Sequence, residues 1–305
     1  MGYLHISNLY KDQTILMFKE CYAMEKIHGT SANVSWDGAL LRFHSGGESA
    51  ERFKALFDFQ FLSDKFIDLG FAARKVTVFG EAYGGKQQGM ADTYGKDLKF
   101  IAFDVCLDES NWLSVPEAEA FCQSLNIDFV PWVKITTDLK EIDAQRDLHS
   151  IQAIRNGVTK VVGVIAEGSL VTGFELVNPK KREGIVLRPL IDLTTSTGSR
   201  IICKHKGDDF RETASPRVVD DPAKMQVMAD AEKIANEWVT MTRLEHVLDK
   251  IPGYGMDKMP IILKAMVEDV TREAKGEIVD NDTVRKAITK KTAVMMKDFL
   301  KSKLK

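Results

Sequence analysis

Six short stretches of the chain carry side chains that could do chemistry together. In MEKIHGTSANVSW, Met24 to Trp36, a lysine (Lys26) stands two residues before a histidine (His28) and three before a glycine (Gly29), at the head of an alternating run. A lysine entering a strand usually faces water, so its place just ahead of a rigid element raises the question of a held amine. In ICKHKGDDF, Lys204 and Lys206 fall on one face of a strand while Cys203 and His205 fall on the other. Two ammonium groups side by side repel unless an anion lies between them, and a phosphate is such an anion; a solvent-facing pair on an edge strand is the plainer alternative. REGIVLRPL puts Glu183 at the mouth of an apolar strand, with Glu183, Ile185 and Leu187 on one face and Gly184, Val186 and Arg188 on the other. KVTVFGEAYGG ends an apolar strand on Glu81, and its glycines allow close backbone approach. FIAFDVC sets Phe103 beside Asp104, and ALLRFHSGGE offers Arg42. Singly, each has an ordinary structural reading: a strand-end charge in water, or an aromatic in the core.

The elements that would position these residues are mostly short β runs. SANVSW and ALLRFH, joined by Asp37-Gly38, predict a hairpin with a type I′ turn directly behind Lys26. KVTVFGEAY, LKFIAFDVCL, FVPWVKI, REGIVLRPL and RIICKHK are further β-branched or aromatic runs beside turn residues. ERFKALFDFQFLSDKFIDLGF and SVPEAEAFCQSLN carry helical spacing of apolar residues. The first part of the chain therefore reads as a mixed α+β domain of largely antiparallel strands. Beyond ETASPRVVDDPAK the pattern turns helical. Asp221-Pro222 forms an N-cap and first turn for AKMQVMADAEKIANEWV, and TRLEHVLDKI, PIILKAMVEDVTREAKG and the segment from Asp282 follow. The expected division is residues 1–216 and an all-helical 217–305. From Asp282 to the end, eight lysines and arginines face two aspartates, a local +6 in a chain of net charge −2. Such a run is commonly a solvated helix face, but it is also a footprint for nucleic-acid phosphates.

The apolar fraction of 44% and charged fraction of 28% describe an ordinary globular protein with no global basic excess. Cys21, Cys106, Cys122 and Cys203 are far apart, which predicts buried free thiols rather than a disulfide frame or zinc site. The N-terminus lacks a signal peptide's apolar core, and no run reaches the length of about 18 apolar residues that a membrane span needs. The expectation is a cytoplasmic or other intracellular protein without membrane attachment.

Taken in order (KxxG, an arginine in the next strand, FGE, FxxFD, EGxVxR, then KxK), the motifs resemble those of the covalent nucleotidyltransferases, the superfamily of ATP-dependent DNA and RNA ligases and mRNA capping enzymes. Within it EKIHGT most resembles the RNA ligase 2 family, over roughly residues 20 to 212. The resemblance implies an antiparallel-sheet, ATP-grasp-like ligase domain followed by a small helical domain, where DNA ligases and capping enzymes carry an OB barrel. It implies Lys26 as the nucleophile that attacks the α-phosphorus of ATP, forming lysyl–AMP. A free lysine has a pKa near 10.4 and is a poor nucleophile until nearby cations favour its free amine; Lys204, Lys206 and bound Mg²⁺ (or Mn²⁺) fill that place. Catalytic roles fall on Lys26, His28, Glu183, Lys204 and Lys206. ATP binding falls on Glu25 near the base, on Lys26 and Gly29, on Phe103 stacked on adenine, on Glu81, and on Arg42, Lys204 and Lys206 at phosphate. Metal or its waters fall to Glu81, Asp104 and Glu183. The implied partner is RNA with 5′-phosphate and 3′-hydroxyl ends, at a nick in a duplex, and the protein is expected to act as a monomer. Alternatives are a DNA-sealing or capping-type transferase and a non-catalytic RNA-binding module. One residue departs from the family pattern: Ser31 stands where an asparagine is common, with Asn33 two residues on.

Overall fold

The computed structural model describes residues 2–165, 171–217, 219 and 227–303. The chain divides into two compact units, Met1–Gly207 and Asp208–Lys305, the boundary lying ahead of the expected 216.

The first unit contains two five-stranded sheets and a separate two-stranded one. One sheet has the order β1 (Ser7–Asn8), β12 (Cys203–Lys206), β11 (Gly184–Arg188), β2 (Glu20–Lys26) and β8 (Trp132–Thr136). All its pairs are antiparallel except β1 with β12. The other is wholly antiparallel: β4 (Leu41–Ser45), β3 (Thr30–Trp36), β5 (Val76–Tyr83), β6 (Lys99–Leu107), β7 (Asn111–Trp112). A hairpin of β9 (Lys160–Ile165) and β10 (Val171–Val177) pairs only with itself among the described residues. The helices of this unit are α1 (Ala50–Lys54), α2 (Phe59–Asp68), α3 (Ala91–Tyr94), α4 (Val115–Ser124), α5 (Leu139–Arg146) and α6 (Ile151–Arg155).

Alternation explains the main core. Val34, Trp36, Val76 and Val78 turn one face of the second sheet toward Leu62 and Phe66 of α2 and Ala118 and Cys122 of α4. The opposite face carries Ser31, Asn33, Phe79 and Glu81, since cross-strand partners share a face. Caps start the helices where polar oxygens are available: Asp58 accepts from the Phe61 N–H, and Ser114 with Glu117 forms a capping box. All four cysteines are free and buried, and burial, then Glu141, pushes the Cys21 thiol up to about 12.

Two local expectations are corrected. The β3–β4 hairpin forms, but its turn is not type I′: the Asp37 N–H donates to the Leu40 carbonyl, Asp37 Oδ1 accepts from the Ala39 and Leu40 N–H groups, and only Gly38 takes positive φ. A type I′ turn needs two residues at positive φ. The Asp37 side chain instead closes the turn from within. In the second unit, the expected helix start at Asp221-Pro222 lies outside the described residues. The helix α7 (Ala231–Trp238) is capped by Asp230, and Met228 before it bridges to Ile278.

That unit continues with α8 (Met241–Asp249), α9 (Met259–Glu273) and α10 (Asp282–Lys303), and its described residues contain no strand. Val284, Ile288, Thr292, Met296 and Phe299 make the buried stripe of α10, leaving Lys286, Lys290 and Lys297 exposed. No described helix is long and apolar enough to cross a membrane.

Candidate active site

β2, β11 and β12 bring the sequence motifs together. Gly184 at the start of β11 is the direct partner of both Lys26 on β2 and Lys206 on β12, so the two lysines flank it on one face. The carboxylate of Glu183, 1% exposed, lies between them. Its Oε2 accepts from Lys26 Nζ at 2.7 Å and lies 3.0 Å from His28 Nδ1, while its Oε1 is 3.1 Å from Lys206 Nζ. Burial alone would raise this carboxyl's pKa; Lys26, Lys206 and His28 together hold it well below the usual range. Lys204 stands one row along on the same face, beside Val186, which also pairs with Met24.

Strict alternation places Glu183 on the face away from Gly184, and the structure departs from it. The strand begins only at Gly184, whose φ is +153°, so the parity does not extend back to Glu183. A Cβ at Gly184 would lie 2.2 Å from the His205 carbonyl oxygen. Gly184→Ala should therefore destabilise the first unit by about 1–3 kcal/mol through overpacking and backbone strain, measurable by chemical denaturation.

The second sheet joins the site at Gly29, whose N–H donates to Glu81 Oε1 at 3.1 Å. An added Cβ there would meet the Ala82 carbonyl oxygen at 2.3 Å, which is why the motif needs glycine. Ser31 is the cross-strand partner of Glu81, and Asn33, on the same face, is buried. His28 is fixed further by its backbone N–H, 3.4 Å from the Tyr94 hydroxyl.

The structure revises the readings of Asp104 and Arg42 and gives Glu25 its partners. Asp104 is fully buried and bound to arginines: Arg188 Nη1 at 2.9 Å and Arg200 Nη1 at 2.7 Å, with the Tyr3 hydroxyl donating at 2.6 Å. With its oxygens committed to these donors, Asp104 braces β6 of one sheet to β11 of the other and is not placed as a metal ligand. Asp104→Ala should cost about 3–5 kcal/mol, because two buried guanidinium groups lose a shared partner; urea unfolding checks this. Arg42 is exposed, pairs with Asp37, and stands opposite Ser35. That is four residues, about 13 Å, along β3 from Ser31 and Glu81. It lines a cavity of about 490 Å³ with Asn33, Phe79 and Trp112 rather than the Glu183 cluster. The Glu25 side chain turns away from Lys26, as adjacent strand residues must. It accepts from Ser150 Oγ at 2.6 Å and from the N–H groups of Ile151 and Gln152 at 3.0 and 3.3 Å, at the N-terminus of α6. Burial pushes its pKa up, against Arg182, Ser150 and those N–H groups.

Phe103 is the extra residue of a bulge in β6, since Phe79 pairs with Asp104 and Gly80 with Ala102. Its half-buried ring lies 4.8 Å from Tyr3, edge to face. Arg182, Ser150, Tyr94, Tyr3 and Arg200 are the supporting residues that the sequence motifs do not reveal. Of these, Ser150 has a local signal, a hydroxyl three residues before Ala153, whose N–H it caps. The others work through partners distant in sequence.

Comparison with known proteins gives the class. Residues 19–206 match the RNA ligase family, and the chain belongs to that family. Among solved structures it is similar to variants of Naegleria gruberi RNA ligase with ATP and Mn (15% identity, TM-score 0.49) and with AMP and Mn (14%, 0.49). Each of these alignments covers 69% of this chain and 57% of the other, so this chain matches just over half of that ligase's length. No match is found among curated proteins.

Proposed function

We propose that this protein is an ATP-dependent RNA ligase that adenylylates itself on Lys26, passes AMP to an RNA 5′-phosphate, and joins that end to a 3′-hydroxyl. One observation carries the reading: a buried carboxylate holds Lys26 Nζ at 2.7 Å while Lys206 and His28 converge on the same group. A structural ion pair needs one cation; three nitrogen groups around one carboxylate suit a site that receives a polyanion. The similar Naegleria ligase variants are with ATP and Mn or with AMP and Mn, the nucleotide and class of metal proposed for this chain.

Along β11, the distance from Gly184 to Arg188 is about 13 Å, enough for a nucleoside, and the intervening floor is Val186 with Met24 and Lys204 beside it. In this reading the phosphates lie toward Lys26 and Lys206 and the base toward Phe103. Lys26 releases Glu183, loses a proton, and its nitrogen lone pair bonds the α-phosphorus as the bond to pyrophosphate breaks. Lys204 and Lys206 neutralise charge on the phosphate oxygens. No three His, Cys, Asp or Glu residues converge on a metal site among the described residues. Mg²⁺ or Mn²⁺ would be held by Glu81 and by Glu183 once Lys26 has left it, since a hard divalent ion takes oxygen ligands and needs only one or two carboxylates. The ion supplies further charge neutralisation at the phosphates. In the second step the RNA 5′-phosphate attacks the adenylyl phosphorus and Lys26 leaves; in the third a 3′-hydroxyl attacks the activated 5′-phosphate and AMP leaves.

The test is incubation with α-³²P-ATP and Mg²⁺, followed by nicked duplex RNA bearing 5′-phosphate and 3′-hydroxyl ends. An acid-labile covalent label and a sealed strand are expected; a protein that takes no label is not a ligase of this kind. A DNA-sealing or capping enzyme would carry an OB barrel after the catalytic unit, and the described residues after Gly207 form helices instead.

The basic face of α10 belongs to the RNA steps in this reading, since lysines on a helix neutralise phosphates without reading bases. Replacing Lys286, Lys290, Lys291 and Lys297 by glutamine should leave self-adenylylation intact and weaken RNA binding. The slope of log K against log salt should flatten by about 0.9 for each phosphate that is no longer neutralised. An unchanged slope would make α10 an ordinary solvated helix.

A further inference from the structure

We propose that the β9–β10 hairpin is a stacking platform for an unpaired nucleobase of the RNA substrate. The inference rests on the RNA ligase reading and extends it to a surface outside the catalytic motifs. Phe174 is 77% exposed, and its direct cross-strand partner is Gly163, which offers no side chain to cover the ring. Val161 is exposed on the same face; Val162 and Val177 are exposed on the other. The hairpin pairs with no other strand among the described residues, and its Val161, Val162, Phe174 and Val177 are all exposed.

Its base is anchored to the residues behind the sheet that carries the catalytic side chains. Thr159 Oγ1 donates to the Asn178 carbonyl at 2.9 Å, Asn178 Nδ2 donates to the Val158 carbonyl at 3.2 Å, and the Ser150 N–H donates to the Lys180 carbonyl at 2.7 Å. Ser150 is also the residue that binds Glu25, and Glu183 follows the hairpin's returning strand in the chain. A ligand resting on the ribbon is thereby referred to Lys26 and Glu183 through both β2 and β11.

Charge selects the occupant. Lys160 stands opposite Val177 at the hairpin base, on the face away from Phe174, and Lys180 and Lys181 follow β10 three and four residues after Val177, against Glu175 on β10. An exposed ring above a cationic base matches a single strand, whose bases stack on aromatics while its phosphates meet lysines. A base held in a duplex has no free face for this ring, so the platform suits a nucleotide unpaired beside the joined ends.

The experiment uses the full chain with Phe174→Ala and Phe174→Trp, and fluorescein-labelled RNAs with 5′-phosphates, one single-stranded and one blunt duplex. Fluorescence anisotropy should show Phe174→Ala binding the single strand about tenfold more weakly, as expected for the removal of one base stack. The salt slope should stay unchanged, because every phosphate-binding lysine is kept. Phe174→Trp should restore affinity, and duplex binding should not change. Covalent labelling by α-³²P-ATP, read separately, reports on the ligase reading and on folding, and should be equal in all three proteins. Unchanged single-strand affinity in a Phe174→Ala protein that labels normally overturns the proposal. An equal loss on duplex does so too, as does a shift from dimer to monomer in sedimentation velocity, which would make the ribbon an interface between copies of the chain.

Discussion

Lys26→Ala is expected to take no covalent label from α-³²P-ATP, at any ATP concentration, while remaining folded. The loss should be complete to background rather than partial, because the substitution removes the atom that forms the phosphoramidate bond. Neither neighbouring lysine substitutes for it: Lys206 Nζ lies on the opposite carboxylate oxygen of Glu183, and Lys204 is a row further along the sheet. Folding should survive, since Lys26 is 23% exposed and Glu183 keeps Lys206 and His28 after the change. The informative companion assay supplies RNA already carrying a 5′-adenylyl group. That substrate bypasses lysine chemistry, so Lys26→Ala should still join it to a 3′-hydroxyl, although more slowly. Normal labelling of Lys26→Ala would remove Lys26 from the role of nucleophile.

Glu183→Ala should lose both labelling and a large part of its stability. Removing Glu183 costs about 3–5 kcal/mol, because Lys26 and Lys206, both mostly buried, lose the carboxylate they share. Glu183→Gln separates the two effects: it keeps the shape, should fold with a smaller loss of stability, and should still fail to label. The stability effect has a definite pH signature. The folded-state pKa of Glu183 is well below that of an unfolded glutamate, which titrates near 4.3. Its ionised form therefore contributes stability above about pH 4.3, and that contribution disappears as pH falls through the depressed folded value. Urea unfolding at pH 7 and at successively lower pH should show the gap between the native protein and Glu183→Gln narrowing with acid. A gap that stays constant would mean that the Glu183 carboxylate is not held by Lys26, Lys206 and His28 as described.

Much of this molecule follows from local rules acting on the sequence. Apolar alternation in Thr30–Trp36 and Val76–Tyr83 makes strands, and Asp58 and the Ser114–Glu117 pair start helices where a side-chain oxygen meets bare N–H groups. The same alternation puts Lys204 and Lys206 on one face and Cys203 and His205 on the other. Gly29 and Gly184 are read from sequence only as motif glycines; their need for glycine comes from carbonyl oxygens 2.3 and 2.2 Å from a would-be Cβ, supplied by neighbouring strands.

For three of the charged residues that the sequence singles out, a distant partner or the strand register decides where the side chain goes. Asp104 looks like a free carboxylate at the end of FIAFD, yet Arg188 and Arg200, 84 and 96 residues away, claim both of its oxygens. Arg42 looks like a phosphate ligand, but strand register carries it away from Glu81 and toward Asp37. Glu25 is adjacent to the proposed nucleophile in the chain and on the opposite face in space, where Ser150 and the start of α6 bind it. The sequence by itself determined the types of most elements, the order of the motifs and the shared face of Lys204 and Lys206, because these depend on residue type, spacing and strand parity. Only the tertiary structure decided which carboxylates face the lysines and which are neutralised elsewhere. A charge's availability depends on the burial and counter-charges around it, and residues remote in the chain supply both.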